Sequence, residues 1–207
     1  MVDMLNREIP LRYIKDAIAE LDKKKASFNI DILEIGCMRG PMTHDIDTET
    51  CFGCGDGHST YLWGRTGRSV TSIDVDSNSM AMAQEACAEF KNITFVLSDA
   101  IEYARSFLKL YKDASGMRIG LLFFDAWDLS IPGYAEKHLE FYDILRPLND
   151  DCLILIDDTD LYYDQEKKEY FADPEGLSGK GKLLIPRLKE DGYEVLFTGR
   201  QTLLRKP

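Results

Sequence analysis

Residues 119–124 read IGLLFF and residues 152–156 read CLILI. Neither run contains a charged or amide side chain. Apolar runs of five or six residues suit strands buried on both faces, as in the middle of a parallel sheet. Each run ends in acid, at Asp125 and at Asp157-Asp158. Toward the N-terminus lie three similar segments: residues 31–36 (DILEIG), 69–75 (SVTSIDV) and 93–97 (ITFVL).

Helical stripes fill the intervals. Leu11, Ile14, Ile18 and Leu21 form the first, closed by Lys23-Lys24-Lys25. Met80, Ala83, Cys87 and Phe90 form the second, with Ser77 or Ser79 expected as its N-cap. Ile101, Ala104, Leu108 and Tyr111 form the third. Ala135, Leu139, Tyr142 and Leu145 form the fourth, expected to stop before Pro147. Strands alternating with helices predict right-handed crossovers and an α/β, doubly wound, mostly parallel Rossmann-like sheet. At the C-terminus, residues 192–198 (GYEVLFT), the turn Gly199-Arg200-Gln201 and residues 202–205 predict a hairpin. The sheet should therefore finish with an antiparallel strand. No linker rich in Pro, Gly or Ser divides the chain, so residues 1–207 are read as a single domain.

Composition narrows the classes. Of 207 residues 44% are hydrophobic and 29% charged, which excludes a disordered or collagen-like chain. No apolar stretch approaches the roughly 18 residues of a membrane span, and no secretory leader is read in the first 25 residues. The 25 basic and 36 acidic residues give a net charge of −11, which disfavours nucleic acid and anionic membranes as partners. Five cysteines, two of them in apolar stretches, suggest reduced thiols and a cytoplasmic location.

Two irregular segments, residues 37–58 and 159–181, follow carboxyl ends of predicted strands, where open α/β sheets bind ligands. Gly36 at the strand exit and the glycines at 40, 53, 55 and 57 in the first segment let backbone pass close to a ligand. Asp74 closes the second strand, where a carboxylate can accept both hydroxyls of a ribose. The plainer reading is that the glycines merely turn the loop. Gly36 and Asp74 lie 38 residues apart, whereas the usual nucleotide-binding unit needs about 20. Gly55 lies 19 before Asp74. An insertion at residues 38–52 is inferred, with Gly57-His58-Ser59-Thr60 starting the helix.

At these residues the chain resembles class I methyltransferases that use S-adenosylmethionine (SAM). The marks are Glu34-x-Gly36, Gly57-x-Ser59-Thr60, Asp74, Ser98-Asp99-Ala100 and the closing hairpin. The resemblance implies that Gly36 and Gly57 line the methionine end of SAM. It places Asp74 at the ribose and Asp99 and Ala100 at the adenine, with Glu34, Ser59, Thr60 and Asp125 in the same cofactor set. Phe124-Asp125-Ala126-Trp127-Asp128 and Ile156-Asp157-Asp158 further resemble the acidic strand ends of metal-dependent O-methyltransferases of the catechol type and of the macrolide-sugar and cephalosporin-tailoring type. That implies Asp125, Asp157 and Asp158 as ligands of Mg²⁺. The chemistry agrees, since three neighbouring carboxylates repel one another and a hard cation relieves them. Against it, Asp is common as a turn or helix cap.

The chain departs from the catechol type by placing Asp128 where that type has a lysine base. Asp128, His138, His44 and His58 are therefore the candidate bases. Cys37, Cys51, Cys54 and His58 could hold zinc, but a single CxxC fits a turn equally well. Gly179-Lys180-Gly181-Lys182 lacks the spacing of a phosphate loop and reads as a mobile turn. The tyrosine-rich residues 161–171 read as a lid or substrate wall, or as a contact with a partner subunit, so a homo-oligomer is an alternative. The expected activity is metal-assisted methyl transfer to a hydroxyl of a small molecule. The rivals are a metal-independent methyltransferase, an NAD-dependent oxidoreductase, and a SAM- or nucleotide-binding module without this chemistry.

Overall fold

The computed structural model describes residues 11–24, 28–39, 58–111, 118–148, 151–173 and 178–207. Its elements run α1 (Leu11–Lys23), β1 (Ile30–Ile35), α2 (Ser59–Gly64), β2 (Val70–Asp74), α3 (Ser77–Ala86), β3 (Ile93–Leu97), α4 (Ala100–Tyr111), β4 (Ile119–Phe124), α5 (Tyr134–Leu145) and β5 (Leu153–Ile156). They continue with β6 (Leu161–Asp164), β7 (Glu169–Ala172), α6 (Leu184–Glu190), β8 (Glu194–Phe197) and β9 (Thr202–Arg205).

Seven strands form one sheet in the order β3-β2-β1-β4-β5-β9-β8, and β6 and β7 form a separate antiparallel pair. β1 pairs in parallel with β2 on one side and β4 on the other. β9 joins β5 antiparallel, as the closing hairpin predicts. The order of connection reverses between β1 and β4, and a crevice opens there beyond the strands' carboxyl ends.

Both apolar runs lie at the centre, every residue of β4 and β5 being buried. One face of the sheet packs Leu33, Leu122 and Ile154 against Ala104 and Phe107 of α4, Phe141 and Leu145 of α5 and Leu188 of α6. The other packs Ile32, Leu121 and Leu155 against Ile14, Ala17 and Leu21 of α1 and Trp63 of α2. Alternate residues along each central strand thus serve opposite layers. Gly120 is where β4 needs a small residue: a Cβ there would lie 2.7 Å from the Asp31 carbonyl oxygen.

The sequence expectation fails at the start of α3. The N-cap is Asp76, not Ser77 or Ser79; its side chain accepts from the amides of Asn78 and Ser79. The Ser79 hydroxyl also donates to Asp76 Oδ2, at 2.5 Å, so the serine supports the cap. The helix ends at Ala86, and Phe90 packs beyond it against Tyr61. Among the described residues no helix is long and apolar enough to cross a membrane.

Candidate functional site: a cleft at the strand switch point

The crevice is a cleft of about 280 Å³. Gly36, Cys37, Asp74, Ser98, Asp99 and Ala100 line one part of it, and Asp125, Trp127, Asp128, Asp158 and Lys180 another. Gly36 takes φ +86°, and a Cβ there would lie 2.8 Å from backbone atoms of both Asp125 and Ala126. Glycine is therefore required by conformation and by space. Asp74 receives the Asp76 amide on Oδ1 (2.8 Å) and the Cys37 amide on Oδ2 (3.0 Å), which ties the exits of β1 and β2 together. Each carboxylate oxygen keeps further acceptor capacity toward the cleft. Asp99 caps α4 by accepting from the Ile101 amide at 2.9 Å and the Glu102 amide at 3.1 Å.

Glu34, Ser59 and Thr60 lie behind this floor. Glu34 is fully buried on β1. It accepts from the hydroxyls of Ser59 (2.6 Å), Thr60 (2.8 Å) and Ser72 (2.5 Å). Thr60 Oγ1 in turn accepts from the Met38 amide at 3.0 Å, so the carboxyl positions both α2 and the residues leaving β1. Burial pushes the Glu34 pKa up to about 7, although the hydroxyls and the Trp63 indole pull it down. The folded protein therefore keeps a proton that the unfolded chain loses. Glu34's contribution to stability therefore falls as pH rises between about 4.5 and 7, by about 3 kcal/mol for a shift of this size. Thermal midpoints across that range should show this fall as a difference in slope between the wild type and Glu34→Gln.

The acidic strand ends converge as expected. Asp125, Asp157 and Asp158 each place an oxygen within 4.8 Å of the others. Their balancing charges come from the protein. Lys180 Nζ lies 2.5 Å from Asp125 Oδ1 and 3.2 Å from Asp158 Oδ2. Arg200 lies 2.6 Å from Asp158 Oδ1, and Gln201 Nε2 donates to Asp157 Oδ1 at 2.7 Å. Burial raises the Asp157 carboxyl well above the usual range, helped by the charges of Asp158 and Asp125. Burial would raise Asp158 too, but Lys180 and Arg200 hold it below its ordinary value. With an ammonium already seated among the carboxylates, this donor set as arranged does not fit a divalent ion. Lys180, Arg200 and Gln201 were not singled out as site residues from the sequence.

Of the candidate bases, Asp128 faces the cleft. Its Oδ1 accepts from the Ser130 amide at 2.9 Å and from the Tyr170 hydroxyl of β7 at 2.5 Å. Despite burial, those donors hold its pKa below the ordinary value. The tyrosine-rich segment thus forms the β6–β7 pair and reaches the cleft wall through Tyr170. His138 is fully buried on α5, with Nε2 2.9 Å from the Ala126 carbonyl oxygen and its ring against Trp127 and Phe124. Burial drives its pKa down to about 3, so it stays neutral behind the cleft wall. His58 is buried at the start of α2. Gly57, His44, Cys51, Cys54 and nearly all of the inferred insertion lie outside the described residues. Cys37 is a buried free thiol packed with Met38, Ala83 and Cys87.

Two of the four described non-glycine residues with positive φ follow central strands: Trp127 at +47° after β4 and Asp158 at +49° after β5, the others being His58 at the start of α2 and Lys168 between β6 and β7. Trp127 and Asp158 line the cleft. Such conformations cost about 1–3 kcal/mol each and concentrate at functional sites.

The comparisons with known proteins bear on the fold. The profile of a family described as a methyltransferase domain matches residues 50–109, which include Asp74, Asp99 and Ala100. A methyltransferase from Geobacter sulfurreducens shares the fold at TM-score 0.52 and 14% identity, over 95% of this chain and 78% of its own. The N-methyltransferase NodS from Bradyrhizobium japonicum WM9, solved with S-adenosyl-L-homocysteine (SAH), matches at TM-score 0.52 and 11% identity, over 95% and 86%. SAH-bound PaMTH1 from Podospora anserina matches at TM-score 0.56 and 16% identity, over 95% and 77%. The fold is that of methyltransferases. No curated protein sequence matches the chain.

Proposed function

We propose that the chain is a SAM-dependent methyltransferase that carries a methyl group to a hydroxyl of a small molecule. The observation that carries this reading is the single cleft at the switch point. It unites a bare glycine turn and Asp74 with a wall made by Trp127, Asp128 and Lys180. Asp74 would hold the ribose diol, and Asp99 and Ala100 would border the adenine. Gly36, packed against the Asp125–Ala126 turn, would border the methionine end. The SAH carried by two proteins of the same fold supports the choice of cofactor.

SAM supplies a methyl carbon on a sulfonium. An acceptor oxygen held in line with it would take the methyl, the carbon–sulfur electron pair staying on sulfur to give neutral SAH. The acceptor proton leaves to solvent or to a carboxylate. The protein's part is to hold the two reactants in line, which removes several kcal/mol of the barrier. Asp128 stays ionised at neutral pH and would orient the acceptor by taking a hydrogen bond from its hydroxyl. Because Lys180 and Arg200 already balance the carboxylates, the reading needs no metal step, and hydroxyl activation rests on orientation.

Calorimetry with SAH tests the cofactor. Asp74→Asn keeps the side chain's shape and removes the charge. A lost charge-assisted hydrogen bond of about 1.5–3 kcal/mol weakens SAH binding by roughly 10- to 100-fold. Wild-type protein that takes up no SAH at millimolar concentration overturns the reading. Transfer of labelled methyl to a panel of hydroxyl acceptors then tests the chemistry, and transfer confined to amines would move the acceptor class.

A further inference from the structure

The Gly179-Lys180-Gly181 turn has no part in binding SAM in the reading above, yet it is built around the acidic strand ends. A Cβ on Gly179 would lie 2.0 Å from the Asp158 carbonyl oxygen and 2.6 Å from Thr159 Cα. A Cβ on Gly181 would lie 2.4 Å from Ile185 Cδ1. Gly179 therefore lets the turn press onto the end of β5, and Gly181 lets it pass close to Ile185 of α6. The Lys180 amide donates to the Asp158 carbonyl at 3.2 Å, and this carries the side chain inward. Lys180 is 3% exposed.

Its ammonium reaches three oxygens: the Asp125 carbonyl at 2.9 Å, Asp125 Oδ1 at 2.5 Å and Asp158 Oδ2 at 3.2 Å. An ammonium has three donors, so all are engaged. Arg200 approaches Asp158 from the turn between β8 and β9. That turn is fixed by the Thr159 amide on the Arg200 carbonyl (3.0 Å) and the Thr159 hydroxyl on the Gly199 carbonyl (2.7 Å).

We infer that Lys180, presented by the Gly179-Lys180-Gly181 turn, is the resident cation of the Asp125–Asp157–Asp158 cluster, in the place where a divalent metal would otherwise balance it. Lys180 is a positioning residue. It holds the Asp125 carbonyl and carboxylate, and the Asp125–Ala126 backbone is what Gly36 packs against. Because the ammonium and a metal ion compete for the same oxygens, the lysine both organises the cleft floor and keeps metal out. The inference concerns charge and space, and it stands whether or not the chain transfers methyl groups.

The test is a Mn²⁺ titration of the full chain, followed by electron paramagnetic resonance of free Mn²⁺ and by thermal shift. Wild-type protein is expected to leave the free-ion signal unchanged at sub-millimolar Mn²⁺ and to show no Mn²⁺-dependent rise in Tm. Lys180→Ala is expected to take up one equivalent, at least about tenfold more tightly than wild type. Its Tm should rise with Mn²⁺, and a second substitution, Asp157→Asn, should abolish both effects. Lys180→Gln, which retains a polar stem without the charge, is measured in parallel in case the alanine variant does not fold. A wild-type chain that binds one Mn²⁺ lost on Asp157→Asn overturns the inference. So do folded Lys180 variants that bind Mn²⁺ no better than wild type. A simple structural role for Lys180 would lower Tm in the variants without creating a metal site.

Discussion

Gly36→Ala is expected to destabilise the protein by about 2–5 kcal/mol and to remove measurable SAH binding. Two costs add at this position. The first is conformational: φ is +86°, a region where an L-residue with a Cβ costs about 1–2 kcal/mol. The second is steric. The new Cβ would sit 2.8 Å from the Ala126 nitrogen and the Asp125 carbonyl carbon. These are backbone atoms at the end of β4, so no flexible side chain can yield, and overpacking of this kind costs about 1–3 kcal/mol. Asp125 and Ala126 line the cleft, so their displacement reshapes the surface that would meet the cofactor. Gly67 separates the two costs. It also has positive φ (+70°), but nothing lies within 4 Å of its Cβ position. Gly67→Ala should therefore cost about 1 kcal/mol and leave SAH binding intact. Urea denaturation and calorimetry on the pair decide the matter. Equal losses of stability in both variants would mean that the contact with Asp125 and Ala126 carries no energy.

The strands were legible because local pattern and tertiary demand agree. IGLLFF must be buried on both faces, and the centre of a doubly wound sheet is where that happens. Asp74 and Asp99 were legible because they sit at strand ends. The switch point then gathers such ends whatever lies between them. Glu34 was legible as part of a motif but not in its role, since the hydroxyls that surround it come from α2 and β2. Lys180, Arg200 and Gln201 were not legible as members of the site. They follow Asp158 by 22, 42 and 43 residues, and their turns look ordinary taken alone. One physical signal was available. Three carboxylates at neighbouring buried strand ends need compensating charge, and a lysine between two glycines is a cation whose backbone can approach closely. The sequence offered Mg²⁺ as that charge, whereas the fold supplies an ammonium and a guanidinium.

Gly179→Ala should be among the most damaging single-methyl changes in the chain, because one added carbon attacks both a backbone contact and an ion cluster. The Cβ position, 2.0 Å from the Asp158 carbonyl oxygen, cannot be occupied without moving the turn off β5. Moving the turn withdraws Lys180 from Asp125 and Asp158 and leaves the buried Asp157 and the half-buried Asp125 and Asp158 without their ammonium. Removing one partner from a buried ion pair costs about 3–5 kcal/mol. For a chain of this length that lowers Tm by roughly 6–20 °C. A double-mutant cycle separates the clash from the lost ion pairs. In a Lys180→Met background the cluster has already lost its ammonium, so Gly179→Ala should add the steric cost alone. Its ΔΔG should shrink by 1 kcal/mol or more, within the usual range for coupled neighbours, about 0.5–3 kcal/mol. If Gly179→Ala costs the same in both backgrounds, the glycine acts by packing only, and Lys180 reaches the carboxylates without its help.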